Sequence, residues 1–128
     1  MDMIYVERIV DKPFFEIIDL AKSAITKNGF LVLHEINTTE IMMKFDFEIK
    51  ELRQLLFFHP EYMKLILEID PSAVIKVPLK MVVREINENQ TAIICTNPID
   101  LFLGMERFHD LSLELSGSTT MILKDVIN

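Results

Sequence analysis

The sequence predicts one small α+β domain, residues 1–128. Three observations carry this. Phe14, Ile17, Ile18, Ala21, Ala24 and Ile25 recur at helical spacing. A second helix-like segment lies between Pro60 and Pro71. An apolar run with strand chemistry, Ala73 to Val83, follows it.

The bulk composition narrows the class. A chain of 128 residues fits one domain with one core. Hydrophobic residues make up 50%, which excludes a disordered chain. The net charge of -7, from 13 basic and 20 acidic side chains, argues against a nucleic-acid binder. Cys95 is the one cysteine, so neither an internal disulfide nor a cysteine-cluster metal site is expected. A reducing, cytoplasmic setting follows. No apolar run approaches the ~20 residues that span a bilayer. Met1-Asp2-Met3-Ile4-Tyr5 has no basic start and does not read as a signal peptide.

Each element has a local reason. Ile4 to Val10 is short and β-prone, the first strand. Asp11 is positioned to cap the following helix, with Pro13 near its first position. Asn28-Gly29 stops that helix, because glycine enters the left-handed region without steric cost. Phe30 to Ile36 is the next strand, with Phe30, Val32, His34 and Ile36 on one face. Thr38 or Thr39 can cap a short helical turn over Glu40 to Lys44.

Residues 48–58 fit a helix by the spacing of Ile49, Leu52, Leu55 and Leu56, yet Leu55 to Phe58 also suits a strand end. Pro60 to Ile69 is a helix with Met63, Ile66 and Leu67 in a stripe. Ala73 to Arg84 reads as one long strand, with a bulge or an edge at Pro78. Asn87 to Gln90 forms a hairpin turn, and Thr91 to Cys95 returns. Leu101 to Leu115 has no dominant period. Gly117-Ser118 reads as a breaker and cap ahead of a short terminal helix, Thr119 to Ile127.

The order of these signals resembles a known family. Pro13-Phe14-Phe15 opens a helix, and Asn28-Gly29-Phe30 through Ile36 follows. Then come His59-Pro60, Ile69-Asp70-Pro71, Val77-Pro78-Leu79-Lys80 through Glu85, and Asn97-Pro98. Over about residues 4–98 this is similar to the domain of unknown function 302 family. The resemblance implies an antiparallel sheet of about five strands with helices on one face, similar to the TATA-box-binding-protein topology. It also implies homodimers, and a strand over Arg53 to Phe58. The family's two motif cysteines are replaced here. The first motif reads Phe58-His59-Pro60 and the second Pro78-Leu79-Lys80. Thiol chemistry does not carry over.

The candidate chemistry is sparse. His59 precedes a helix whose N-terminus favours anions, and Lys80 lies in the second motif. With Asn97 they define an expected ligand site for a small anionic or apolar molecule. The commoner roles for the first two are a turn histidine and a solvated lysine. His34 is the candidate metal or haem ligand, although a hydrogen-bonded strand histidine is the commoner case. His109 sits beside Glu106 and Asp110 and reads as a surface residue. Met42, Met43, Phe45, Phe47, Phe57 and Phe58 read mainly as core. The expectation is a small cytoplasmic ligand-binding or interaction domain that forms a homodimer, without nucleic-acid or membrane partners. The alternative is a small enzyme or a haem- or metal-binding redox protein using a histidine.

Overall fold

A computed structural model describes residues 5–128. The first strand, β1, spans Tyr5–Val10; Ile4, the expected first residue, lies outside the described residues. Then follow α1 (Phe14–Lys27), β2 (Leu31–Asn37), α2 (Thr38–Met43), β3 (Leu52–Phe58) and α3 (Pro60–Ile69). A 3-10 segment, Pro71–Lys76, leads to the hairpin β4 (Leu79–Asn87) and β5 (Gln90–Thr96). A short α4 (Pro98–Leu101) and a 3-10 turn (Glu106–Phe108) precede α5 (His109–Ile127).

The five strands form one antiparallel sheet in the order β1-β5-β4-β3-β2. Residues directly opposite one another share a face. Leu55, Phe57, Leu79, Met81, Val83, Ile93 and Cys95 thus make the covered face, and all are buried. Against it lie α1, through Phe14, Ile17, Ala21, Ala24 and Ile25, and α5, through Leu111, Leu115, Ile122 and Val126. Asn28 ties the two helices together: its Nδ2 donates to Asp125 Oδ2 at 2.9 Å and to Ala24 O at 2.7 Å. Gly29 ends α1 at φ 86, as the sequence predicts.

Several local expectations are corrected. Asp11 does not cap α1; its Oδ1 accepts from Gln90 Nε2 at 2.9 Å, binding the β1 exit to the hairpin. Asn37, not Thr38 or Thr39, caps α2 and accepts from Glu40 N at 3.0 Å. In β2 a bulge between Val32 and His34 reverses the alternation. Glu35 and Asn37, not His34 and Ile36, therefore join Val32 on the covered face, opposite Leu55 and Arg53.

The long strand from Ala73 is also shorter than its composition suggests. Asp70 Oδ1 accepts from Ser72 N at 3.0 Å, and Pro71 suits a helical first turn. That cap folds Pro71–Lys76 into a 3-10 turn, so the strand starts at Leu79, just after the cis Val77-Pro78 bond. Gly117 does not break the last helix. A Cβ there would meet nothing within 4 Å, and the buried residues on both sides hold α5 continuous. Among the soft residues, Phe57 and Phe58 are core, but Met43, Phe45 and Phe47 are exposed at 50%, 68% and 58%. Among the described residues, no helix is long and apolar enough to cross a membrane.

Candidate functional site

The sheet order brings the expected site residues to one end of the molecule. His59 follows the end of β3, Lys80 lies at the start of β4, and Asn97 follows β5. Their side chains then diverge. Lys80 pairs with Leu56, on the face opposite Phe57 and Leu79, and is exposed. Its backbone is fixed by Thr96: Lys80 N donates to Thr96 Oγ1 at 3.1 Å, and that hydroxyl donates to Lys80 O at 3.2 Å.

His59 turns the other way, into an aromatic corner. Its ring stands edge-on to Phe30 at 5.3 Å and to Tyr62 at 5.2 Å. Phe30 in turn packs against Phe57 at 5.8 Å. Gly29 makes room for this packing, since a Cβ there would lie 3.2 Å from His59 Nε2. His59 Nδ1 accepts a hydrogen bond from Glu61 N at 3.1 Å. The imidazole thereby occupies the first turn of α3, where an anion would otherwise receive an N–H. The geometry makes His59 a capping and packing residue.

Asn97 caps α4. Its Oδ1 accepts from Ile99 N at 3.2 Å, and its Nδ2 donates to Asp100 Oδ2 at 3.1 Å. It also lines a cleft of about 270 Å³ between β1, the start of α4 and α5. Arg8, Ser116 and Lys124 lie in the same wall. These three were not readable as a site, because they come from opposite ends of the chain and share no motif spacing.

His34 is exposed on the open face, opposite Leu56. Among the described residues, no group of three or more His, Cys, Asp or Glu side chains is placed to hold a metal. His109 is exposed at the start of α5.

Arg53 is the one charged side chain of β3, and it lies on the covered face opposite Val83. Its Nη1 meets Glu51 Oε2 at 2.8 Å, and its Nε lies 3.9 Å from Glu35 Oε2. The guanidinium stands 5.4 Å from the Phe14 ring. Lys22 completes the cluster by pairing with Glu35. All these charges are matched, and the arrangement reads as a structural network.

Cys95 is buried in the sheet beside Met81. Burial pushes its thiol up from 9.0 to about 12, because the desolvated site disfavours the thiolate. The folded pKa is raised, so the resulting stability is present below pH 9 and is lost as pH rises toward 12. The expected result is that a thiol reagent at pH 8 modifies Cys95 only in denaturant. Stoichiometric labelling of the native protein within minutes would contradict it.

The comparisons with known proteins fit this frame. No curated protein matches the chain. The chain is similar to a solved structure, an uncharacterized conserved DUF302 protein from Bacillus stearothermophilus, with a TM-score of 0.88 at 18% identity. The match covers 98% of this chain and 99% of that one. At that identity the likeness establishes the fold. The family model described as domain of unknown function DUF302 matches residues 6–127, well past the limit near residue 98 that the motifs suggested, and so takes in α5. The chain belongs to the DUF302 family.

Proposed function

We propose that this domain is a non-enzymatic binding and interaction module that works as a homodimer. The observation that carries the reading is the arm between β2 and β3. In it α2 has no buried residue, and every residue from Met43 to Lys50 is exposed. Ile41, Met43, Phe45, Phe47 and Ile49 are 38% to 68% exposed, and Phe15 is 61% exposed. Arg53 links Phe15 to the base of the arm, lying 6.0 Å from its ring and 3.2 Å from Thr39 Oγ1. Summed over the arm and its base, these side chains present on the order of 600 Å² of apolar surface, comparable with the largest patches on monomers.

A second copy is the occupant that fits. A stable interface takes about 800 Å² from each partner, and this patch supplies most of that. The net charge of -7 repels a second copy at most faces. Between Met43 and Lys50, Lys44 and Lys50 cancel Asp46 and Glu48; Glu51 is paired with Arg53, and Glu40 of α2 is the charge left over. A two-fold pairing of the 43–50 segments therefore buries rings while stacking little like charge. A cytoplasmic location goes with this reading, supported by a single buried thiol that has no partner for a disulfide.

Sedimentation equilibrium tests it. The protein is expected to run as a dimer at micromolar concentration. Phe45→Ser with Phe47→Ser is expected to give a folded monomer with unchanged far-UV dichroism. A wild-type protein that stays monomeric at tens of micromolar, or a dimer untouched by the double substitution, would overturn the proposal.

A further inference from the structure

The geometry points to a second, independent feature: the cleft between β1 and α5 is a binding site for a small organic carboxylate. Its wall holds Arg8 from β1 and Lys124 from α5. Among the described residues, no Asp or Glu lines it, in a chain of net charge -7. Neither cation is in an ion pair with a carboxylate among the described residues. Arg8 Nη1 donates to the Glu7 carbonyl at 2.8 Å, which uses one of the five donors of its fork. The register places Arg8 opposite Ile93, on the side of the sheet where α5 packs.

The remaining chemistry selects the ligand class. Thr119 and Thr120 already donate their hydroxyl protons to Ser116 O, at 3.0 and 2.8 Å. Asn97 is committed to capping. Recognition of charge therefore falls to Arg8 and Lys124, with the Ser116 hydroxyl beside them. A planar guanidinium matches a carboxylate with two parallel hydrogen bonds. Val6, Leu123 and Ile127 supply an apolar wall, so the ligand carries an apolar body as well as its anionic head. A volume of about 270 Å³ suits a body no larger than one ring or a short branched chain.

Benzoate is the probe, and the readout is two-dimensional amide NMR of the full chain. Benzoate at millimolar concentration is expected to shift the amides of Arg8, Thr96, Ser116 and Thr120 saturably. Benzyl alcohol, which keeps the ring and lacks the charge, is expected to bind about tenfold more weakly, as is benzoate to Arg8→Met or Lys124→Met. Both side chains are exposed, so the methionine variants keep the fold and much of the apolar stem. No saturable shift, equal binding of benzyl alcohol, or unchanged affinity in both variants would overturn the site. Inorganic phosphate binding as tightly as benzoate would overturn the organic class. The dimer plays no part in these outcomes, so the two ideas stand or fall separately.

Discussion

Arg53→Met is expected to lower the stability of this domain by about 3 kcal/mol, the low end of the loss on breaking one partner of a buried ion pair. The arginine side chain is 11% exposed, and Glu51 and Glu35 are 30% and 31% exposed. Water still reaches Glu35 and part of Glu51, though not Glu51 Oε2, which is why the low end applies. Among the described residues, Glu51 Oε2 has no well-directed hydrogen bond, and the one cation meeting its charge is Arg53 at 2.8 Å. Removing the guanidinium strands that charge at the edge of the core. Glu35 suffers less, because Lys22 remains beside it. At about 4 °C per kcal/mol for a chain of this size, the midpoint of thermal unfolding falls by roughly 12 °C. Adding Glu51→Gln to Arg53→Met is expected to restore at least half of the loss, since the stranded charge is then gone. Urea unfolding of the two variants measures both. A single-variant loss below about 1 kcal/mol would place Arg53 among ordinary surface ion pairs.

Phe57→Ala is expected to cost about 4 kcal/mol, within the range for truncating a buried aromatic ring. Phe57 is fully buried and packs against Phe30, which in turn carries the His59 ring. A cavity there loosens the Gly29–His59 corner and the start of α3 together. Phe47→Ala is the matched control. That ring is 58% exposed in the arm, and the change is expected to stay within about 0.5 kcal/mol for the monomer. Denaturant curves taken at protein concentrations where each variant sediments as a monomer keep dimerisation out of the comparison. Equal losses for Phe57→Ala and Phe47→Ala would mean that the arm packs onto the core.

Much of the frame is legible in the sequence, for identifiable reasons. α1 announces itself through its apolar stripe and the Asn28-Gly29 stop, and α3 through Pro60. The β4–β5 hairpin follows from Asn87 to Gln90, where Asn87 Nδ2 donates to Gln90 Oε1 at 3.0 Å. β3 is ambiguous by spacing, the family resemblance implies a strand, and the sheet register agrees. Where the structure departs from the sequence reading, intrinsic propensity is outvoted by a neighbouring cap, by burial or by a bulge. Val74 and Ile75 are β-prone, yet the Asp70 cap draws them into a 3-10 turn. Gly117 costs a helix about 1 kcal/mol relative to alanine, which the burial of Leu115, Ile122 and Val126 offsets. His34 changed faces because a one-residue bulge leaves no mark in composition.

The site was less legible than the fold. His59, Lys80 and Asn97 do gather at one end of the sheet, as their motif positions suggest. Strand parity, which motifs do not encode, then sends Lys80 to one face and His59 to the other. Arg53 shares the parity of Leu55 and Phe57, and that signal alone could have marked it as core-facing. The cleft residues Arg8 and Lys124 meet only through the sheet order, which no local window contains.

The placement of β1 beside β5 bears on how the chain folds as it is made. Tyr5 to Val10 finds its partner only in Gln90 to Thr96, across most of the sequence. The apolar stripe of α1 meets β2 early but waits for β4, β5 and α5 for the rest of its cover. On the ribosome, β1 therefore emerges without its strand partner, and α1 with most of its cover missing. The β4–β5 hairpin is the most local pairing in the sheet, and β1 docks onto it late. A chain stalled before residue 96 leaves β1 without its strand partner and α1 without α5, and such a species is one for chaperones to hold.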